Sequence, residues 1–348
     1  MNAPDGWSTR LISDVEQLAA IAEEWRLLFE RCPHATPFER PEWLLSWAQA
    51  FRPEVLHTIE VRRHGALVGL APLFLYRAGA DRILVPLGAS ISDYIDWLID
   101  PIQSAAILER IFAVLRDSRK GWDRLELSDV PPSSPLLTFR SSDWDVAQSP
   151  ETACPILELP RGAKSVAQIL SGKARHNLRT AAHRMERMGR AKFEIATRET
   201  VDEFLAAMMR LHGARWNEFG TRGVLSEKRV QEFHRIAARA LLGRGVLRLY
   251  GLRLQGQLIA ALYALVGSET FYCYLQGFDP AYGPLSPGAQ ILGRVIDDAL
   301  REGKTRVDFL RGRERYKYAW GGRDSETWRL SFQLRSPVQE RFRPHLAA

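Results

Sequence analysis

Tyr250-Gly251-Leu252-Arg253-Leu254-Gln255-Gly256-Gln257-Leu258-Ile259-Ala260-Ala261-Leu262-Tyr263 consists of two β-rich runs around a short polar turn, the pattern of a β-hairpin. The same pattern occurs earlier as Ile59-Glu60-Val61-Arg62-Arg63-His64-Gly65-Ala66-Leu67-Val68-Gly69-Leu70-Ala71-Pro72-Leu73. Gly65 falls on Gly256, and Val61/Leu252, Val68/Ile259 and Gly69/Ala260 fall into step at a constant spacing of 191 residues.

Each hairpin is followed by an amphipathic helix and then a short strand, Ala105 to Asp117 before Trp122 to Ser128, and Gly288 to Glu302 before Thr305 to Leu310. Gly121 and Gly303 pair at a spacing of 182, so the connection from hairpin to helix is nine residues longer in the first half, and Glu126 matches Asp308. A hairpin, a helix and a further strand, in that order and twice, predict an α/β chain of two tandem lobes with mixed α+β sheets. The spacing is far too long for a solenoid repeat. Turn formers in Ser149-Pro150-Glu151-Thr152-Ala153-Cys154-Pro155 and Pro160 predict a linker around one short strand, dividing the chain into lobes 1–155 and 156–348.

The totals agree with two cores. A chain of 348 residues exceeds what one core usually organises, and 46% hydrophobic with 26% charged residues lies far from the composition of a disordered chain. The apolar run Gly65 to Tyr76 is 12 residues long and contains Pro72, too short for a membrane span. Met1 to Arg10 includes Asp5 and lacks a basic segment leading into an apolar one, which predicts a cytoplasmic protein. Cys32, Cys154 and Cys273 fit neither a disulfide framework nor zinc-ligand spacing. His176 and His183 lack acidic or cysteine partners at ligand spacing, so no metal is expected. A net charge of +7 favours an anionic partner: a nucleotide cofactor, a nucleic acid or an anionic membrane surface.

Two segments could meet such a partner. Ser171 to Gly189 reads as one helix, with Leu178, Ala181, Ala182, Met185 and Met188 on one face and Lys173, Arg175, Arg179, Arg184 and Arg187 on the other. The basic face is either a solvated surface or an anion clamp in which Arg175 and Arg179, one turn apart, hold a phosphate or carboxylate. The second segment runs from Tyr272-Cys273-Tyr274 through Gly277-Phe278-Asp279-Pro280 to Leu285-Ser286-Pro287-Gly288-Ala289, a strand, a loop and a helix start. Ser286 suits the N-cap and Pro287 the first helical turn, and such a helix start favours a diphosphate, as in coenzyme A.

Beyond that helix, Asp308 stands in the apolar strand Val307-Asp308-Phe309-Leu310, ahead of Gly312, Glu314, Tyr316, Lys317 and Trp320. A buried acid there either pairs with a cation such as Lys317, as a structural ion pair would, or has a raised pKa. Attack on a thioester by an amine or hydroxyl releases a proton, which Asp308 or Glu314 could take; Lys317 or a strand amide could face the thioester oxygen. Trp216, Tyr272 and Tyr274 line a substrate cleft or belong to the core.

In this order, Pro41-Glu42-Trp43, Ser92-Asp93-Tyr94 with Asp96, Lys173 to Arg179, Arg215-Trp216, Gly277-Phe278-Asp279-Pro280, Ser286-Pro287-Gly288, Asp308-Phe309-Leu310, Gly312, Glu314, Tyr316-Lys317 and Trp320 resemble the acetyltransferase-like (GNAT) proteins grouped with the cellulose-biosynthesis protein CelD. The resemblance covers nearly the whole chain. It implies two tandem acetyltransferase-like lobes similar to the FemX-type peptidoglycan-bridge aminoacyl transferases, with an acyl-CoA donor at Ser286, Pro287, Gly288 and Ala289. It also implies catalysis by Asp308, Glu314 and Lys317, and an acceptor near Arg175, Arg179, Trp216, Tyr274 and Tyr316. The loop departs from the usual Gly-x-Gly or Gly-x-Ala phosphate loop in having one glycine and a proline.

The leading expectation is transfer of an acyl group from acetyl-CoA or another acyl-CoA to an amine or hydroxyl of a sugar, cell-envelope or exopolysaccharide precursor. The alternatives are aminoacyl transfer from charged tRNA and a non-catalytic accessory role in polysaccharide synthesis. The first half has Asp100-Pro101-Ile102-Gln103-Ser104 where the second has its Ser-Pro-Gly loop, and is expected to act as scaffold and cleft wall.

Overall fold

The computed structural model describes residues 6–218 and 223–335. Among these the chain divides into two compact units, one of residues 6–48, 52–151 and 326–335, the other of 49–51, 152–218 and 223–325. The last strand returns to the first unit.

In chain order the elements are β1 (Trp7–Ile12), α1 (Val15–Ala20), α2 (Ala22–Arg31), α3 (Pro41–Phe51), β2 (Thr58–Arg63), β3 (Ala66–Ala71), β4 (Leu73–Ala78), β5 (Asp81–Pro86), β6 (Leu98–Ile99), α4 (Ser104–Asp117), β7 (Arg124–Val130) and β8 (Trp144–Glu158). They continue as α5 (Gly172–Met188), β9 (Ala191–Ile195), α6 (Val201–Glu218), α7 (Lys228–Gly243), β10 (Leu247–Leu254), β11 (Gln257–Val266), β12 (Thr270–Phe278), α8 (Pro287–Arg301), β13 (Arg306–Asp308), α9 (Arg315–Ala319) and β14 (Arg323–Leu334).

The two hairpins share their backbone geometry. His64 (φ 47°) with Gly65 (φ 83°) and Gln255 (φ 49°) with Gly256 (φ 83°) form turns with two successive positive φ angles, which glycine takes without strain at the second position. Each hairpin carries a β-bulge at the same place, between Val61 and Arg62 and between Leu252 and Arg253. Arg62 and Arg253 then do the same work. Each donates to the carbonyl of its turn glycine, at 2.8 and 2.9 Å, and each also pairs with two glutamates, Glu24 and Glu60 for Arg62, Glu194 and Glu203 for Arg253.

In the first unit the strands run β1-β2-β3-β6, and separately β4-β5-β7-β14. The apolar face of α4, with Ile107, Leu108, Ile111, Phe112 and Leu115, packs into a core with Ile59, Val61, Leu125, Leu127, Leu330 and Phe332. In the second unit the order is β8-β13-β12-β11-β10-β9. There α8 presents Ile291, Leu292, Val295, Ile296 and Ala299 to Leu252, Ile259, Ala260, Leu262 and Ala264. The mixed α/β class expected from the repeat is the observed one.

The expected linker at Ser149 to Pro160 is instead the interior and end of one 15-residue strand, β8. Its prolines misled the reading because they remove only N–H donors. The Pro155 carbonyl still accepts from Phe309 N at 3.0 Å, and the ladder with β13 uses only Ile156, Leu157 and Glu158.

Candidate active site

The site begins where two parallel strands part. β12 and β13 pair over three residues only, Thr270 with Arg306, Phe271 with Val307 and Tyr272 with Asp308, while β12 runs on to Phe278. After Asp308 the chain is drawn toward β8, with Phe309 N on the Pro155 carbonyl and Gly312 N on the Ala153 carbonyl, both at 3.0 Å. Leu310 turns through φ 57° to do so, and the Asp308 carboxylate accepts from its N–H at 2.8 Å. The result is a fork with Cys273, Tyr274 and Gln276 along one prong and the segment from Phe309 to Glu314 along the other.

Asp308 and Lys317 are both buried, at 3% and 2% exposure. The Lys317 ammonium donates to the carbonyls of Leu310 (2.9 Å), Arg311 (2.6 Å) and Gly312 (3.2 Å) and pairs with Glu314 at 3.0 Å. An ammonium has three N–H groups, and four acceptors already surround this one. Lys317 therefore holds the turn that carries Glu314, which does not fit the expected role of donor to a thioester oxygen. Gly312 suits the same turn because its φ of 108° is a backbone conformation that L side chains rarely adopt. The Cys273 thiol is pushed up to about 12, first by burial and then by the Asp308 charge, with Lys317 acting in the opposite sense. It stays protonated at neutral pH and is no nucleophile.

At the end of β12, Asp279 caps the turn that follows by accepting from Ala281 N at 3.1 Å. Ser286 does occupy the N-cap position of α8, but in the left-handed region (φ 49°, ψ 50°) and without a side-chain capping bond; its carbonyl accepts from Ala289 N and Gln290 N, each at 3.0 Å. Pro287 opens the helix as expected and is buried, while Ser286 is exposed. Gln276 reaches from β12 to the Gly288 carbonyl at 2.7 Å, tying the strand to the helix start.

α5 lies across this region, with Gln290 donating to the Leu178 carbonyl at 2.8 Å and Leu178 against Gly293. Ser171 caps α5 as expected, accepting from Ala174 N at 3.2 Å. Arg175 and Arg179 are exposed and make no ion pair or side-chain hydrogen bond among the described residues. The basic face thus remains available to an anion.

The other face of β12 holds a group that the sequence reading missed. His234 from α7 lies against Tyr263 (5.6 Å between ring centres) and Tyr274 (5.7 Å), and Tyr263 and Tyr274 are themselves 5.7 Å apart. Burial, assisted by His212 on α6, lowers His234 to about 3, so it is neutral. α6 can come this close because position 277 is glycine; a Cβ there would lie 2.6 Å from His212 N. The available signal was a histidine on the apolar stripe of each helix, which is ordinarily a packed core residue. Tyr274 thus joins an aromatic and imidazole cluster, Tyr316 packs against the core of the second unit, and the Trp216 side chain lies outside the described residues.

Residues 172–318 match the family model of the acetyltransferase (GNAT) domain. The fold is GNAT-like. Among solved structures the chain is similar to FemX, at 11% identity over 96% of this chain and 99% of that one, with a TM-score of 0.69. It is also similar to L-PGS from Bacillus licheniformis (12% identity, 91% and 94% covered, TM-score 0.57). The C-terminal domain of a putative lysylphosphatidylglycerol synthetase from Agrobacterium fabrum gives 11% identity, 92% and 93% covered, and a TM-score of 0.57. No curated protein matches. At these identities the likeness is one of fold. Among the described residues no helix is long and apolar enough to cross a membrane.

Proposed function

We propose that the second unit transfers an acyl group from an acyl-CoA to an amine or hydroxyl of a sugar, cell-envelope or exopolysaccharide precursor, as the CelD-like motifs suggest. The fork between β12 and β13 carries this reading, because it opens one edge of β12 to a thioester arm and ends at the positive end of the α8 dipole. The acceptor nitrogen or oxygen bonds to the thioester carbonyl carbon, its proton passes to Asp308 directly or through water, and the C–S bond then breaks to release the coenzyme A thiolate, which takes up that proton to leave as the thiol. Glu314, held by Lys317 and exposed, is the second carboxylate that can take that proton. Calorimetric titration of the full chain with acetyl-CoA and longer acyl-CoA species tests the donor. Saturable binding, lost in Ser286→Trp and Gly288→Trp, is expected; absence of binding to every thioester would sink the proposal.

The unpaired Arg175 and Arg179 on α5 favour a second reading, in which the acyl donor is a charged tRNA. Its mark would be RNA binding that weakens steeply with salt; binding that ignores salt would remove it.

A further inference from the structure

The core of the second unit runs out at the free edge of its sheet. β9 is the last strand there, and its register with β10 sets Ala191, Phe193 and Ile195 opposite Leu254, Leu252 and Tyr250, so all six share the face that α8 covers. The three β10 side chains are buried and Ala191 is half-buried, whereas Phe193 and Ile195 are 40% and 42% exposed. α5 ends beside them. Its Met185 is buried in the same core, while Met188, one turn further on, is 48% exposed. The Met188 carbonyl accepts from Gln255 at 2.6 Å, at the head of the β10–β11 hairpin, where β9 begins opposite Leu254. Three large apolar side chains thus carry the core outward into solvent.

The same stretch carries most of the charge of the chain. From residue 172 to residue 192 seven lysines and arginines face one acid, Glu186, a net +6 where the whole chain has +7. At about 3.6 residues per turn these divide between two flanks of α5. Arg175 and Arg179 fall on one flank. Lys173 and Arg184 fall on the other, where Met188 stands one turn after Arg184, and Arg187 lies between the flanks on the outer side. Lys173, Arg184, Arg187 and Arg190 are all exposed, with no ion pair or side-chain hydrogen bond among the described residues.

A charged helix face alone is ordinary solvated surface, but here unpaired cations stand beside exposed Met, Phe and Ile side chains. RNA would use the guanidinium groups and could stack a base on Phe193, yet it has no use for the aliphatic Met188 and Ile195. A second copy of the chain would set +6 against +6. An anionic bilayer uses both kinds of side chain: long basic ones reach lipid phosphates, and apolar ones enter the boundary between headgroups and acyl chains. We propose that this edge of the second unit docks on an anionic membrane surface, with Met188, Phe193 and Ile195 in the headgroup layer and Lys173, Arg184, Arg187 and Arg190 on lipid phosphates. Arg175 and Arg179, on the other flank, are not needed for it, so docking stands apart from both readings of the acyl donor.

The test is co-sedimentation of the full chain with vesicles of phosphatidylcholine alone and of phosphatidylcholine with about one third phosphatidylglycerol, with bulk tRNA as a separate ligand. Binding is expected to be at least about tenfold tighter to the anionic vesicles and to weaken with salt. Arg184→Glu with Arg187→Glu should weaken it about tenfold or more, whereas Lys228→Glu with Arg229→Glu, the same change of charge at the exposed start of α7, should cost less than about threefold. Phe193→Thr with Ile195→Thr, which keeps strand-forming residues in β9, should weaken it about fivefold or more while circular dichroism stays unchanged. Equal binding to both vesicles, equal losses from the two charge reversals, or no loss from the threonine pair would each overturn the proposal. So would tRNA that binds more tightly than the anionic vesicles and loses that binding through Arg184 and Arg187. The comparison of the two vesicles uses the unaltered chain, so it decides the question even if the variants fail to fold.

Discussion

The two units start from the same hairpin and part company one strand later. In the second unit a single strand, β12, pairs with β11 along its length and with β13 at its start. In the first unit the same two duties fall to separate strands: β5 pairs in parallel with β7 at Ile83 and Leu84, and β6 pairs with β3 at Leu98 and Ile99. Ile83 and Thr270 hold equivalent positions, as do Ile99 and Phe278; the first two-point span covers sixteen positions and the second eight. The extra chain in the first unit occupies the place of a continuous strand and adds Asp96 to the lining of a cavity that Glu39 also borders. The second unit keeps the strand whole, and with it a fork. The first unit thus divides between two strands what the second unit keeps in one.

The largest expected effect breaks the symmetry between Asp308 and its counterpart Glu126. Asp308→Asn should reduce acyl transfer about a hundredfold or more, as loss of a general base does, with little change in donor affinity. Glu126→Gln, which removes only an ion pair with Arg124, should leave the rate within about twofold. Similar losses in both variants of a well-folded protein would show that Asp308 has no special role. Next in size is Lys317→Met, which strips three carbonyls and Glu314 of a buried cation and should cost about 3 kcal/mol by chemical denaturation. A cost below about 1 kcal/mol would mean the turn stands without it.

The units should also respond to pH in opposite senses. Glu39, raised by burial and then by the Asp96 charge, is at about 8 when folded against 4.5 ordinarily, so between those values the folded state keeps a proton that the unfolded chain has released. Stability from this group falls as pH rises from 4.5 to 8, and Glu39→Gln should flatten that slope. His234 is at about 3 against 6.5, so as pH falls from 6.5 toward 3 the unfolded chain gains a proton that the folded state refuses. Stability then falls with falling pH, and His234→Phe should remove that part. Denaturation midpoints across this range check both slopes. The smallest effect sharpens the likeness: Arg62→Met and Arg253→Met should each cost about 0.5–1 kcal/mol and differ by less than about 0.5, since both arginines are partly exposed and make matching bonds.

Much of the fold was legible because it depends on local pattern. The Gly65 and Gly256 turns, the apolar stripes of α4, α5 and α8, and the strand around Asp308 announce themselves within a dozen residues. Asp308, Glu314 and Lys317 were read as one segment, and a short strand, a turn and a single helical turn join them. What escaped the reading was set by distant partners. β8 is a strand because β14 and β13 lie beside it in the strand order, which no local signal around Pro150 and Pro155 conveys. Ser286 takes a left-handed backbone that its residue type does not advertise, and Lys317 is turned from its expected role by three carbonyls whose convergence only the folded loop produces. Glu39 and Asp96 stand 57 positions apart and meet only in the folded chain.

The return of β14 to the first unit has a consequence for biosynthesis. Leu330 and Phe332 fill the same core as Phe112, whose ring is 5.0 Å from that of Phe332, so the first unit to be started on the ribosome is the last whose core can close. The second unit, complete by Ser325, can finish earlier. Nascent chains halted after Ser325 should therefore resist proteolysis across the second unit and be cut in the first, and release of the final strand should abolish that difference.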